Sequence, residues 1–174
     1  MITEEEFYKE KIFKKIPKND LKRLHPNQSG DIENWYRSDR YKKIQDYKSF
    51  LLTKFKTIMT SEKEVLVLSP EQFYELFCWW EKQPEKCFYC SLPESDLEIL
   101  HNQDGHINKR YPYRGKSLEI DRKLSNLPYT DIDNLVLVCY WCNNAKTDTF
   151  TEVEFSKVGE VLKTIWEDRL KKQL

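Results

Sequence analysis

The sequence predicts an α+β chain. Apolar residues recur at three- and four-residue spacing both before and after two short strand candidates. A Cys-x-x-Cys pair stands on each side of those strands. The expected order is helices, then strand–turn–strand, then helices.

The first fifteen residues read as a charged helix with a sparse apolar side of Ile2, Phe7, Ile12 and Phe13. Pro17 ends it, because proline removes a backbone donor from the helical ladder. His25-Pro26-Asn27-Gln28-Ser29-Gly30 is turn chemistry and reads as a linker, with Trp35 anchoring the segment beyond it. Tyr41, Ile44, Tyr47, Leu51, Phe55 and Ile58 then form one face of a long amphipathic helix, and Lys42, Lys43, Lys48, Lys54 and Lys56 form the other. Ser69-Pro70-Glu71-Gln72 carries a serine cap, a first-turn proline and a third-position glutamine. It should open a helix reaching about Lys82 that buries Phe73, Leu76, Phe77 and Trp80. A loop-rich stretch to Gly115 follows. Leu118–Asp121 and Leu135–Val138 are strand candidates joined by a polar turn through Asn126 and Pro128. Thr151-Glu152-Val153-Glu154 is a capping box opening a final helix, with Phe155, Val158, Val161, Leu162 and Ile165 on one side. Cys78, Trp79, Trp80, Trp141 and Trp166 read as core.

The 174 residues suit about one domain. The content is 39 % hydrophobic and 14 % aromatic with only 4 glycines, which excludes disordered and collagenous classes. The longest apolar run, Val65–Leu68, is far too short for a membrane span. Met1-Ile2-Thr3-Glu4-Glu5-Glu6 has no apolar secretory core, so a cytoplasmic protein is expected. Lys plus Arg and Asp plus Glu both number 29, and this neutral sum argues against a generic basic nucleic-acid binder. The sum hides a split, however. Residues 1–60 hold fourteen basic and nine acidic side chains, and the remainder holds fifteen and twenty. The basic third either lies along phosphates or is a solvated helix face.

In a reducing compartment, cysteines point to metal or catalysis rather than disulfides. Cys87-Phe88-Tyr89-Cys90 and Cys139-Tyr140-Trp141-Cys142 can each aim two thiolates at one ion. Four thiolates give the closed tetrahedral site of structural Zn²⁺, which leaves no position open for chemistry. A redox dithiol would need a thioredoxin-like βαβ context, which the sequence lacks. The ion would pin the excursion of about 48 residues between the pairs.

That excursion carries a family likeness. Leu118-Glu119-Ile120-Asp121-Arg122, Tyr129, Asp133-Asn134-Leu135-Val136-Leu137-Val138-Cys139, Cys142-Asn143 and Lys146 together resemble the HNH endonucleases over roughly residues 85–157. The resemblance implies a zinc-stapled ββα-metal core, here with an N-terminal helical extension and a C-terminal helix. It divides the chain into a basic helical region, residues 1–62, and a nuclease domain with a zinc knuckle, residues 63–174. It implies Asp121 and Asn143 as ligands of a catalytic Mg²⁺ or Mn²⁺, and Asn134 as the residue holding the hairpin loop. It also implies Lys146 at a phosphate. An Asp and an Asn are hard oxygen ligands that suit these ions. The implied substrate is nucleic acid, most readily DNA, with no membrane partner. A homodimer or a partner subunit is left open. Members of the family serve in restriction, other phage defence, mobile elements and repair.

One position departs from the pattern. Where the family follows the strand aspartate with a histidine base, this chain has Arg122. An arginine stays protonated, so it can clamp phosphate or stabilise transition-state charge but cannot take a proton. His101 and His106, in the preceding loop, are the nearest alternatives as base. Glu119 shares strand parity with Asp121 and could be a second ligand, the base, or a partner for Arg122. Lys109, Arg110, Arg114, Lys116, Arg122 and Lys123 cluster around Tyr111 and Tyr113, a composition that suits phosphate contact and base stacking, or else an exposed loop. Three functions compete: a metal-dependent endonuclease, a catalytically inactive zinc-stapled nucleic-acid-binding module, and a protein-interaction zinc module.

Overall fold

The computed structural model describes residues 1–12, 14–49, 69–102 and 114–172. The chain divides into two compact units, Met1–Glu81 and Lys82–Leu174. The boundary expected at 62/63 lies outside the described residues, as do Phe13, Leu51, Phe55, Ile58, His106, Lys109 and Arg110. Among the described residues no helix is long and apolar enough to cross a membrane.

In the N-terminal unit, α1 spans Glu4–Ile12. Thr3 opens it with a reciprocal cap: its hydroxyl accepts from the Glu6 backbone N–H at 3.2 Å, and Glu6 accepts from the Thr3 N–H at 2.7 Å. Pro17 does not simply end this helix. It stands at the N-cap of α2, Lys18–Leu24, where its missing N–H costs nothing. The expected linker is ordered too. Pro26–Gln28 form a 3₁₀ turn, α3 runs Ser29–Arg37, and the Gln28 amide brackets Ile2 by hydrogen bonds of 2.7 and 2.9 Å. The polar side chains read as turn formers are here tying chain ends together. Residues 39–49 are helical (α4) and bury Ile44 and Tyr47. α5, Pro70–Glu81, begins at the expected box, in which Ser69 and Gln72 exchange hydrogen bonds of 2.9 and 3.2 Å. Phe73, Leu76 and Phe77 are buried on it, whereas Cys78 is only half-buried. Tyr47 stacks on Trp80 at 4.7 Å, and Trp35 meets Phe7 at 5.7 Å. Glu33 collects Lys18, Lys22 and Arg37, and the hydrogen bonds from Lys22 and Lys18 hold its carboxyl down at about 2.

The C-terminal unit includes the Cys87–Cys90 turn and then a helix in the stretch expected to be loop-rich, α6, Glu94–His101. It is short, and only Leu97, Leu100 and His101 face inward, so its periodicity is hard to hear. The Glu94 carboxylate accepts the Leu118 backbone N–H at 2.9 Å and ties α6 to the strand entrance. β1, Glu119–Arg122, pairs antiparallel with β2, Leu135–Val138, in the register Glu119↔Val138 to Arg122↔Leu135. α7, Tyr140–Lys146, follows at once, and α8, Glu152–Lys171, closes the unit with the Thr151–Glu154 capping box fully formed.

α8 turns a different face inward from the one expected. Phe155, Gly159 and Trp166 are buried, while Val158, Val161 and Ile165 are exposed. Aromatic contacts decide the rotation: Phe155 meets Tyr89 edge-on at 4.9 Å, and Trp166 meets Trp141 at 4.8 Å. Gly159 lets the helix reach the cysteine turn. A Cβ there would lie 2.4 Å from the Tyr89 carbonyl oxygen and 2.8 Å from its carbon. A Gly-to-Ala change on an exposed helix face stabilises by about 1 kcal/mol. Gly159→Ala should instead destabilise by about 1–3 kcal/mol, because backbone must move to admit the methyl. Denaturant midpoints measure this, and a raised midpoint would refute the close approach.

Candidate functional site

The four cysteines of the two pairs are buried, and their sulfurs all lie within 4.8 Å of one another. Each pair is aimed by its local fold. In the first, the Ser91 N–H returns to the Cys87 carbonyl at 2.9 Å, with Ser91 in the left-handed region at φ 56°. The Phe88 N–H docks the turn onto β2 through the Leu137 carbonyl at 2.8 Å. In the second, Cys139 is the N-cap of α7 and its sulfur accepts the Cys142 N–H at 3.4 Å. Cys90 and Cys139 stand 3.7 Å apart, S to S. That is far beyond the ~2.05 Å of a disulfide. It matches the ~3.8 Å edge of a tetrahedron with metal–sulfur bonds of ~2.3 Å. The four cysteines could hold a zinc ion. Among the described residues no other His, Cys, Asp and Glu gather this tightly, so Glu119, Asp121 and His101 do not form a comparable ligand cluster.

The second constellation lies where β1 faces α7. Strand alternation puts Glu119 and Asp121 on one face, and helical spacing puts Asn143 and Lys146 one turn apart. Glu119 is buried and receives the Arg114 guanidinium in a two-pronged pair, at 3.0 and 2.6 Å, and the Asn143 amide N–H at 2.8 Å. Glu119 therefore partners Arg114 and Asn143 rather than Arg122. With its NH₂ turned to Glu119, the Asn143 amide has its oxygen as the remaining prong. Arg114 also lies over the Tyr140 ring at 4.8 Å.

Lys146, expected at a phosphate, is turned away from solvent. Its side chain is 1 % exposed, donates to the Arg122 carbonyl at 2.8 Å and stands 3.4 Å from Asp121 Oδ2. The short α7 turns this lysine inward, so its ammonium meets the strand rather than solvent. Asp121 Oδ2 is buried and makes no hydrogen bond among the described residues, its approach to Lys146 being an ion pair without hydrogen-bond geometry. Burial raises the Asp121 carboxyl above the ordinary range, and the Lys146 charge opposes that rise.

The Arg122 side chain reaches into the hairpin loop. It donates to the Leu127 carbonyl at 3.1 Å and covers the Tyr129 ring at 4.5 Å. Asn134 holds the same loop, accepting the Leu124 N–H at 2.9 Å and donating to the Leu124 carbonyl at 3.0 Å. Lys116 is exposed and paired with Glu98 at 3.2 Å. Lys123 borders two open clefts beside the loop, about 380 and 460 Å³. His101 is 5 % exposed, and neither ring nitrogen has a hydrogen-bond partner among the described residues. Its ring lies against Gly115, at φ 93°, where an added Cβ would come within 3.3 Å of the ring. Gly115 also abuts Tyr140, which leads through Arg114 to Glu119.

Tyr89 is a residue that sequence reasoning does not single out. It lies inside the first Cys-x-x-Cys, where the cysteines dominate the pattern, and its buried hydroxyl has no hydrogen-bond partner among the described residues.

No family model and no curated protein matches this sequence. Among solved structures, the chain is similar to the rare-cutting HNH restriction endonuclease PacI, described for its mechanism of DNA perturbation. The identity is 22 %, the TM-score is 0.50, and the match covers 70 % of this chain and 80 % of that one. The likeness is one of fold: a small antiparallel hairpin and a helix beside a four-cysteine cluster form an HNH-type core.

Proposed function

We propose that this chain is a metal-dependent HNH-type endonuclease that hydrolyses phosphodiester bonds, with DNA as its substrate. The observation that carries the reading is Asp121 Oδ2, a buried carboxylate oxygen without a hydrogen bond among the described residues, set between β1 and α7 of an HNH-type core. Asp121 and the Asn143 amide oxygen would hold Mg²⁺ or Mn²⁺, and this hard-oxygen donor set fits such an ion. When bound, the ion would polarise the phosphate and stabilise the leaving 3′ oxygen.

The chain's own residues supply the rest. Glu119 orients Asn143 and Arg114 and, doubly bound, is a holder rather than a base. His101 is our choice of base, because both nitrogens of its buried imidazole are without partners among the described residues. Arg122 braces the loop beside the strand end, and Lys123 and Lys116 offer charge to phosphate. The four cysteines would hold structural Zn²⁺. The neighbour's restriction activity supports cleavage of foreign DNA as the setting.

Plasmid DNA incubated with the chain and Mg²⁺ or Mn²⁺ should be nicked. Asp121→Ala should lower the rate on the order of 100-fold or more. If neither DNA nor RNA is cut, or Asp121→Ala cuts like the parent, the reading fails. The Lys146 ammonium beside Asp121 favours a second reading, a nucleic-acid-binding module without catalysis. That reading expects salt-dependent DNA binding and no metal-dependent cleavage.

A further inference from the structure

The N-terminal unit pairs several of its cations one to one. Lys9 meets Glu5 at 2.7 Å, Lys14 meets Glu10 at 2.6 Å, Arg23 meets Asp20 at 3.4 Å and Arg40 meets Glu81 at 3.2 Å. Glu33 is different. It takes Lys18 at 3.1 Å and Lys22 at 2.6 Å from α2, and Arg37 at 2.9 Å from its own helix, α3. On the same helix, the exposed Tyr36 ring carries two ammonium groups, Lys18 at 4.5 Å and Lys11 of α1 at 5.9 Å. Four cations from three helices therefore meet around one carboxylate and one ring.

Helix ends account for only part of this. Lys11, Lys22 and Arg37 lie in the last turns of α1, α2 and α3, where a cation suits the helix dipole. Each helix satisfies that preference alone, so it gives no reason for the charges to share one surface. A solvated face of a single helix does not explain it either, because the charges come from three. Gathering like charges opposes the compact state, and an anion lying across them removes that opposition. A chain of phosphates, unlike a single small anion, offers a charge to each cation.

We propose that Lys11, Lys18, Lys22 and Arg37, set around Tyr36 and Glu33, form a contact for the phosphate backbone of duplex DNA. The ring and the carboxylate hold the cations in place, and phosphates take up the charge that one carboxylate leaves over. Such contacts fix a duplex on the protein without reading its bases. The choice of DNA as the polyanion rests on the nuclease reading above.

The test is binding of a short fluorescein-labelled DNA duplex to the full chain, followed by anisotropy between about 50 and 200 mM salt. No divalent ion is added, so cutting does not intervene. Lys11→Gln with Arg37→Gln leaves Glu33 its two lysines, and melting by circular dichroism checks the fold. The slope of log affinity against log salt should flatten by about 1.8, since each phosphate contact carries about 0.9, and affinity should fall about tenfold or more. Lys11→Gln alone keeps every ion pair of Glu33 and should flatten the slope by about 0.9, which decides the matter if the double variant melts early. Lys11→Arg with Arg37→Lys keeps the charge and should bind like the parent. Lys42→Gln with Lys43→Gln, on α4, is the charge-matched control and should lose far less.

An unmoved slope in the patch variants overturns the proposal. So does an equal loss in the control, which would assign the effect to the charge of the unit as a whole. Inorganic phosphate that displaces the duplex at constant ionic strength would make this a site for the free ion, and tighter binding of an RNA duplex would make RNA the partner; either overturns it. If plasmid DNA is never cut but the slope flattens as expected, the nuclease reading fails and the contact stands. If Asp121→Ala abolishes cutting and the slope does not move, only the contact fails.

Discussion

Replacing Cys139 with serine, or stripping metal with a strong chelator, is expected to unfold the C-terminal unit. Cys139 closes β2 and caps α7, and its sulfur stands 3.7 Å from that of Cys90. One tetrahedral ion would therefore join the first cysteine turn, the end of the sheet and the start of the helix. The parts it joins are weak alone. Each strand has 4 residues, and an isolated two-stranded hairpin is marginal in water. Structural zinc sites contribute roughly 10–16 kcal/mol of apparent binding energy, and that energy is folding energy when the site exists only in the folded state. Such a loss is comparable to the whole stability of an ordinary domain. Thermal melts by circular dichroism, followed together with zinc release to a chromogenic indicator, read the outcome. Cys78→Ser is the control, since Cys78 lies on α5 outside the cluster and should leave the C-terminal transition where it is. A chelated protein that melts like the untreated one would sink the idea of a structural ion.

The second large effect is expected at Lys146. Lys146→Met keeps the stem and removes the ammonium from a side chain that is 1 % exposed. The Arg122 carbonyl loses its donor and Asp121 loses its counter-charge. Breaking a buried ion pair on one side costs about 3–5 kcal/mol, because the remaining charge is left uncompensated. Pairing the change with Asp121→Asn should recover much of the loss, since removing both charges leaves none stranded. The four denaturant curves of that cycle measure the coupling. If Lys146→Met alone costs less than about 1 kcal/mol, the range of a solvent-exposed pair, the lysine is not buried against Asp121 in solution. A phosphate-binding lysine at the surface would behave in that milder way.

The parts of this molecule that could be read from the sequence are those whose partners are close along the chain. The Ser69–Gln72 and Thr151–Glu154 caps satisfy backbone groups within three residues, and both form as their spacing predicts. β2 has the predicted bounds and β1 is displaced by one residue, because alternation and turn residues are local signals. The cysteine pairs are legible for the same reason, since each presents its thiolates from one tight turn. α6 was not legible, because two leucines in eight residues set no clear period. The inward face of α8 was not legible either. Its apolar residues lie on two sides, and only the contacts to Tyr89 and Trp141 choose between them.

The same division runs through the candidate site. By itself the sequence determined which chemical groups are present: four sulfurs in two local pairs, an aspartate in a strand, and an asparagine and a lysine one turn apart on a helix. Only the tertiary structure decided what those groups face. It gave Glu119 to Arg114 and Asn143, turned Lys146 inward onto Asp121, sent Arg122 into the loop, and left the hydroxyl of Tyr89 buried. The physical reason is range. Backbone hydrogen bonds and turn geometry act between near neighbours and so leave a written pattern. The charge and burial that set a side chain's role depend on residues 24 positions away, as between Glu119 and Asn143, and no periodicity records those.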